Sequence, residues 1–505
     1  MGKEYYLGFD IGSSSCKTII INKKGKIIGS ASKELWADSP KPGFGEIDPN
    51  EWYKGFLETL KDVCGYSNIN PQDIHAIGIT GQLVSFTCID KEYNPLRPAI
   101  LWYDKRGSEE LQLIKSKIGN KISEISSNPL NNTFTLPKLL WIKKKEPEIF
   151  KNIFKILWAS DYVRMRLTKT INTDPTDASS SMMYDLKKGI WSKEITAEME
   201  IPNRILPPIK EAVDIAGSVI SEVSSITGLK TGTPVIIGAG DIAMDNVAAG
   251  IISPGQGMLR LGTCGVISIV SEKPLLDMNN KCPCSASIVP GLSILQGTSA
   301  AFGSSLRWFR DTFYKTNTGS REGKGGDAFS EIDKEASLVS PGADGLFFHT
   351  FTNAAPYWET NIRGQFTGIR YSQRREHFAR AIFEGTAYDL KKALINMSNI
   401  KGAKIPIEFI CVGRGILNKT WCQTISNVLG YNLVLAKEAD AALGAAMVAG
   451  VSVGGFKDLK DSVSKTVHYL GEVKFKTDIN KYYNERFKDF SIIHENLVKV
   501  CNSIY

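Results

Sequence analysis

Long hydrophobic runs are missing from this sequence. No stretch approaches the ~20 uncharged apolar residues that a bilayer-crossing helix needs, so a membrane partner is not expected. The opening residues, MGKEYYLGFDIGSSS, carry neither an apolar core nor a small-residue cleavage signal. Tyr6 stands where myristoylation of Gly2 prefers Ser or Thr, so neither secretion nor a lipid anchor is expected. Histidine is scarce: five in 505 residues, too separated to build a metal cluster. Cysteine is an odd, scattered set of nine, which points to reduced thiols and a cytoplasmic location. The one close pair, Cys282-Pro-Cys284, lacks a second pair or a nearby histidine and is expected to be two ordinary loop thiols. Three common signatures are also absent: the Walker phosphate loop, the dinucleotide fingerprint and the Gly-x-Ser-x-Gly nucleophile elbow.

What is present is ordinary globular composition, 42% hydrophobic and 23% charged, over a length that calls for at least two domains. The net charge of +8 slightly favours anionic ligands. The lysines are spread out, however. The densest patch, Lys143 to Lys145, follows Trp141 and Ile142, ends in Glu146 and reads as the solvated face of a helix. No nucleic-acid partner is expected.

Apolar runs broken by short turns predict strands from Tyr6 to Asp10 and from Thr18 to Ile21, with further strands over 74–80 and 83–89. Asp48 to Cys64, with Pro49 in its first turn, predicts a helix. Residues 134–168 carry two helical patterns. A strand over 234–237 runs into Gly238-Ala-Gly-Asp241, and the small apolar residues 242–250 predict a closely packed helix. The pattern then restarts. Residues 256–265 form a strand and a Gly-rich turn, followed by a strand over 266–270, echoing residues 6–21. Residues 460–505 end the chain with helical content, including 480–490. The class is α/β, with a mixed sheet in each of two domains, 1–249 and 250–505. A cleft between them is the expected place for a ligand.

Asp10-Ile-Gly-Ser-Ser-Ser15 puts an acid at a strand end before a turn of small residues and hydroxyls. Gly12, Ser13 and Ser14 offer groups for a phosphate, Lys17 a positive charge, and Asp10 a ligand for Mg²⁺ or its water. A plain hairpin turn is the competing reading. Gly262 and Thr263, in Leu-Gly-Thr-Cys-Gly265, repeat the device in the second half. Asp241 follows a strand among glycines, where a carboxylate can take the proton of an attacking hydroxyl. Asp245, one turn on, reads as an exposed or capping acid. Gln82, with Asp104, Arg106 and Trp102, has the donors, acceptors and ring that a sugar pocket uses. Core packing is an equal reading for Trp102.

These stretches also resemble the FGGY carbohydrate kinases of the hexokinase–actin superfamily, most nearly the xylulokinases. The likeness covers most of residues 5–450. It is carried by Gly8-Phe-Asp-Ile-Gly-Ser-Ser14, Pro42-Gly43 with Glu46-Ile-Asp-Pro-Asn-Glu-Trp52, Ala76-Ile-Gly-Ile-Thr-Gly-Gln82 and Asn94-Pro-Leu-Arg-Pro-Ala-Ile-Leu-Trp102. Leu136-Pro-Lys-Leu-Leu-Trp141, Gly240-Asp241, Leu261-Gly-Thr263 and Ala441-Ala-Leu-Gly-Ala-Ala446 complete it. The resemblance implies two ribonuclease H-like domains around a cleft and ATP with Mg²⁺ as cofactors. It makes Asp241 the base and places Asp10, Gly12 and Gly262 at the ATP phosphates. Gln82, Leu83, Trp102 and Asp104 fall at the sugar, and the turn Gly413, Arg414, Gly415 to Asn418, before Trp421, beside adenosine. It implies transfer of phosphate from ATP to a small sugar or polyol, most nearly D-xylulose, and a homodimer is left open.

The chain departs from the family pattern in three places. Leu83-Val84 replaces Met-His. Arg414 stands where the adenosine turn has glycine. Residues 352–356, Thr-Asn-Ala-Ala-Pro, lack the two charges of Gly-Glu-Arg-x-Pro. The open alternatives are another acceptor (a deoxy-sugar, ribulose, a tetritol or glycerol), an ATPase using water, and a non-catalytic nucleotide or sugar binder.

Overall fold

The computed structural model describes residues 4–119, 121–277, 279, 281–299, 301–314, 325–350 and 362–504. Residues 352–356 lie outside them. Among the described residues, the two main sheets are built from the short strand Cys284–Ala286 and from β1 Tyr5–Ile11, β2 Ser15–Asn22, β3 Ile27–Glu34, β4 Ile74–Gly81, β5 Ile215–Ser218, β6 Pro234–Ile236, β7 Ala239–Gly240, β8 Gly257–Leu261, β9 Gly265–Ser271, β10 Ser293–Ser299, β11 Glu408–Val412, β12 Asn432–Lys437 and β13 His468–Val473.

The chain forms two compact units. One comprises residues 1–254, 270–295 and 439–467, the other 255–269, 296–438 and 468–505. The sequence expectation placed everything from residue 250 in one domain. In the structure the chain returns to the first unit twice, and the second return brings the helix Ala441–Ser452 onto β1 and β4.

In the first unit the sheet order is β5-β6-β4-β1-β2-β3, with β7 also pairing β4. β1 runs antiparallel to β2 and parallel to β4, β4 is parallel to β6, and β6 is antiparallel to β5. In the other main sheet the order is β10-β9-β8-β11-β12-β13, with the short strand Cys284–Ala286 outside β10. β8 is antiparallel to β9 and parallel to β11, β11 is parallel to β12, and β12 is antiparallel to β13. The two sheets therefore follow one plan, as the echo between residues 6–21 and 256–270 suggests.

The sequence explains the first unit locally. β1 reads Tyr-Tyr-Leu-Gly-Phe-Asp-Ile and is buried almost throughout, as a central strand covered on both faces must be. On one face lies the helix Pro49–Ser67, begun by the Asp48 side chain accepting from the Asn50 N–H. On the other lies Ala441–Ser452, an Ala- and Gly-rich helix that sits very close to the sheet. A Cβ on Gly8 would stand 1.9 Å from the Ala442 carbonyl oxygen, and one on Gly78 2.2 Å from that of Ala445. The small residues let backbone meet backbone there.

Two expectations needed correction. The strand expected over 83–89 begins only at Phe86, because residues 82–85 form a turn. Between the two helical patterns of 134–168, the strand Lys155–Trp158 intervenes, joining a smaller four-stranded sheet. Lys143 and Lys144 do lie at the outer end of the helix Thr135–Lys145 and pair with Glu200 and Glu109. Among the described residues no helix is long and apolar enough to cross a membrane. Cys282 and Cys284 are buried, and burial pushes both thiols up to about 12.

Candidate active site

Asp10, Gln82 and Asp241 leave the carboxyl ends of three neighbouring parallel strands. Asp10 lies opposite Thr80 on β4, Gly240 lies opposite Gly81, and β4 runs between β1 and β7. The ends of parallel strands are where open α/β sheets bind ligands, because the chain must turn away there and leaves a crevice.

The turn after Asp10 is a tight hairpin, with the Gly12 N–H donating to the Ser15 carbonyl at 2.9 Å. Ser14 is exposed. Ser13 is tied inward: its hydroxyl donates to Gln82 Oε1 at 3.1 Å and accepts from Trp102 Nε1 at 2.6 Å. Gln82 in turn donates from Nε2 to the Gly12 carbonyl at 3.3 Å. The expected phosphate turn, Gln82 and the expected sugar-side tryptophan thus form one hydrogen-bonded chain. Trp102 is only partly buried, and its ring is anchored inward through Nε1.

Behind Trp102 sits Lys138, which sequence reasoning missed. It is fully buried, and its ammonium donates to the carbonyls of Leu101 at 2.7 Å and Trp102 at 3.3 Å. Burial pulls it down to about 7, while the Asp104 charge works the other way. The only sequence signal is a lysine on an otherwise buried helix face, Leu136-Pro-Lys-Leu-Leu140.

Two expected ligand groups are otherwise engaged. Asp104 is completely buried. One oxygen accepts from the N–H and Nε of Arg106, both at 2.9 Å; the other accepts from the Gly45 N–H and from Arg106 Nη2, both at 2.7 Å. These four hydrogen bonds take up the acceptor sites of the Asp104 carboxylate. Arg106 also pairs with Glu46 at 2.8 Å and lies over the rings of Phe44 and Trp141. Lys17, expected to face phosphate, is paired with Asp440, whose other oxygen caps the helix Ala441–Ser452 at Leu443 N.

Asp241 opens the helix Asp241–Ala248 and is partly exposed. Its Oδ1 accepts from the Ile242 N–H at 3.0 Å. Asp245, expected to be exposed or a cap, is 2% exposed and belongs to the interior. Leu83 packs on the residue before Asp241: a Cβ on Gly240 would stand 2.1 Å from Leu83 Cδ2. Next to it Val84 holds φ 72°, a left-handed conformation that a β-branched residue adopts only under constraint. Ser85 supplies part of that constraint, accepting the Trp102 N–H at 2.9 Å.

A second feature missed from sequence lies beneath Asp241. Asp161, Asp174 and Asp177 are buried with carboxylate oxygens within 4.8 Å of one another, around Arg164. Burial drives all three upward, Asp161 to about 6. Arg164 pairs with Asp161, so the cluster carries its own cation.

In the second unit, Gly262 and Thr263 form the turn between β8 and β9. Their carbonyls accept from the Gly303 and Ser304 N–H groups, both at 3.1 Å, anchoring the helix Gly303–Phe313. Gly413 follows β11, the parallel neighbour of β8, with φ 90°. Its missing Cβ would stand 2.8 Å from the Leu261 oxygen, so the 413–415 turn lies directly against the start of the Gly262 turn. Arg414 is exposed and begins a 3-10 turn to Leu417, and Asn418 precedes the helix Lys419–Leu429. Trp421 is not at the surface: it stacks between Phe302 and Phe383 and donates to Thr386 at 3.0 Å. The second unit thus repeats the arrangement of the first, with two turns at the ends of adjacent parallel strands.

Two sheets of this plan, each presenting turns at its parallel strand ends, are those of the ribonuclease H-like, hexokinase–actin fold. The comparisons narrow the class. The N-terminal domain of the FGGY family of carbohydrate kinases matches residues 5–248, and the C-terminal domain of that family matches 257–453. The xylulose kinase of Lactococcus lactis is 33% identical over 468 residues, 92% of this chain and 91% of that protein. The crystal structure of xylulose kinase from Rhodospirillum rubrum superimposes with a TM-score of 0.86 at 27% identity, covering 99% of this chain and all of the other. Gluconate kinase from Lactobacillus acidophilus shares the fold, with a TM-score of 0.89 at 23% identity over the whole of both chains. The chain belongs to the FGGY family of carbohydrate kinases, and its activity is ATP-dependent carbohydrate phosphorylation.

Proposed function

We propose that this kinase phosphorylates a pentulose, in the reaction D-xylulose + ATP → D-xylulose 5-phosphate + ADP. The observation that carries the reading is the convergence of Asp10, Gln82 and Asp241 at adjacent strand ends. The relatives described as xylulose kinases support the choice of sugar. Asp241 accepts the proton of the acceptor hydroxyl as that oxygen bonds to the γ-phosphorus. The bond from phosphorus to the ADP oxygen breaks, ADP leaves, and Asp241 returns its proton to solvent.

Gln82, Leu83 and Trp102 face the sugar, with Asp104 holding the wall behind them. Gly12, Ser13 and Ser14 serve the phosphates on the first unit, with Lys17 held beside them by Asp440. Gly262, Thr263, Gly413, Arg414 and Asn418 serve the nucleotide on the second. Asp10 fits Mg²⁺: a carboxylate beside a hydroxyl-rich turn is the hard oxygen donor chemistry that ion takes. Held by Asp10, the ion would supply positive charge against the phosphates. Dispersed free thiols, buried except for the partly exposed Cys264, are in keeping with work in the cytoplasm.

One observation favours a second acceptor. Leu83 presents aliphatic surface against Gly240, next to Asp241, and an unpaired sugar hydroxyl buried on it costs about 1–3 kcal/mol. An acceptor with a deoxy or methyl position there loses nothing. An ADP-release screen over pentuloses, hexuloses, deoxy-sugars, tetritols and glycerol separates the two. D-xylulose with the highest kcat/KM supports the first reading. A deoxy-sugar well above it overturns that reading in favour of the second.

A further inference from the structure

The link 237–240 delivers Asp241 from β6, and it is held at both ends from below. At its start, Arg164 Nη1 donates to the Ile237 carbonyl. The same guanidinium pairs with Asp161 and donates from Nη2 to the Asn172 carbonyl at 2.8 Å. At its end, the Gly240 N–H donates to Thr176 Oγ1 at 2.8 Å. Thr176 has one hydroxyl proton, and it goes to Asp174 Oδ1, leaving the oxygen to receive Gly240. Between the two anchors, Gly238 passes against β4 with φ 75°, where a Cβ would stand 2.0 Å from the Ile79 oxygen. Gly240 itself is clasped between Leu83 and Thr176, whose nearest atoms would lie 2.1 and 3.3 Å from an added Cβ.

A helix cap alone does not account for this. Asp174 does cap the short helix Pro175–Ser179, accepting from the N–H groups of Thr176 at 2.7 Å and Asp177 at 3.3 Å. A cap needs one carboxylate at a surface. Here three carboxylates and an arginine are buried together, an arrangement that is costly unless geometry is gained. What the cluster fixes is the backbone immediately before Asp241.

We propose that Thr176 is a positioning residue for phosphoryl transfer: with Arg164 it clamps the link 237–240 and so sets where the Asp241 carboxylate stands. The inference rests on Asp241 being the base. Displacing a catalytic group by ~1 Å costs roughly 100-fold in rate, so losing one of two anchors is expected to matter in kcat and not in ligand affinity.

The test compares Thr176→Val, which keeps the shape and removes the hydroxyl, with Thr176→Ser, which keeps the hydroxyl, and with Asp241→Asn. Steady-state kinetics are read together with amide exchange at Gly240. The expected result is a kcat lowered roughly 10- to 100-fold in T176V, with both KM values within about twofold. Gly240 exchange should be faster in T176V, and both readouts should return in T176S. Should Val disturb folding, Thr176→Ala removes the same hydroxyl and is read the same way. Wild-type kcat in T176V, or an equal loss in T176S, overturns the inference while an inactive D241N leaves the base assignment standing. Wild-type turnover in D241N overturns both.

Discussion

The indole N–H of Trp102 donates to the Ser13 hydroxyl at 2.6 Å. A side chain expected at the sugar is thereby bonded to a turn expected at the phosphates, and Gln82 closes the chain back to Gly12. Trp102 and the hairpin after Asp10 thus form one hydrogen-bonded unit.

Trp102→Phe keeps a ring and removes the donor. A lost neutral hydrogen bond is worth about 1 kcal/mol, or roughly fivefold. The expected outcome is a several-fold rise in the KM for sugar, with a similar rise for ATP because Ser13 loses its anchor. Initial-rate kinetics with each substrate varied check it. A change confined to the sugar KM would mean that the Ser13 bond does not couple the two.

Asp241→Asn is expected to remove phosphoryl transfer while leaving the fold and ligand binding intact. The amide keeps the size and keeps an acceptor for the Ile242 N–H, but it takes no proton from a hydroxyl. Loss of a general base costs a factor of roughly 10² to 10⁴. Single-turnover rates beside nucleotide titration separate chemistry from binding.

Some of this was legible in the sequence. Asp48 before Pro49 announces a helix start, and the helix Pro49–Ser67 is there. The strand–turn–strand echo of residues 6–21 at 256–270 foretells two sheets of one order, because the same hydrophobic runs and small-residue turns make the same pairings. The 82–85 turn was not legible. Val84 reads as a strand residue, and its left-handed backbone is imposed by tertiary contacts. Nor does any local pattern say that residues 439–467 fold with the first unit, since their Ala- and Gly-rich helix is selected by close approach to a sheet far away in sequence. Thr176 shows the same limit. One partner of its hydroxyl, the Gly240 N–H, is 64 residues on.

Asp10→Ala is expected to raise the Mg²⁺ concentration that half-saturates the rate. Mg²⁺ keeps most of its waters and takes few protein carboxylates, so the loss of one is felt directly. Initial rates at fixed ATP across a magnesium titration check this. Unchanged half-saturation together with an unchanged rate would remove Asp10 from the metal.

Gly8→Ala is expected to destabilise the first unit. The added methyl would meet the Ala442 oxygen at 1.9 Å and the Ala446 nitrogen at 2.5 Å, both backbone atoms that cannot rotate away. Overpacking typically costs about 1–3 kcal/mol, and a backbone clash belongs at the upper end. Urea unfolding checks it. A midpoint equal to that of the wild type would show that the helix Ala441–Ser452 shifts freely.

The acid cluster under Asp241 predicts a pH dependence with a definite sign. Burial first, then the charges of Asp174 and Asp161, hold Asp177 well above the ordinary carboxylate range, with Ser160 and Arg164 opposing. In the unfolded chain the same group ionises near 3.8. Above that pH the unfolded chain has released a proton that the folded protein still holds. Stability from this group is therefore complete in acid and is lost as pH rises through the folded value. Asp177→Asn cannot ionise, and its side-chain oxygen can still accept from Ser160, which lies 3.0 Å from Asp177 Oδ2. The variant is thus expected to gain stability relative to wild type on going from pH 5 to pH 8, whatever its absolute stability. Denaturant unfolding of both proteins at several pH values across that range measures the difference directly. A stability difference that moves toward the wild type as pH rises would show that Asp177 is held ionised in the fold, with Arg164 outweighing burial.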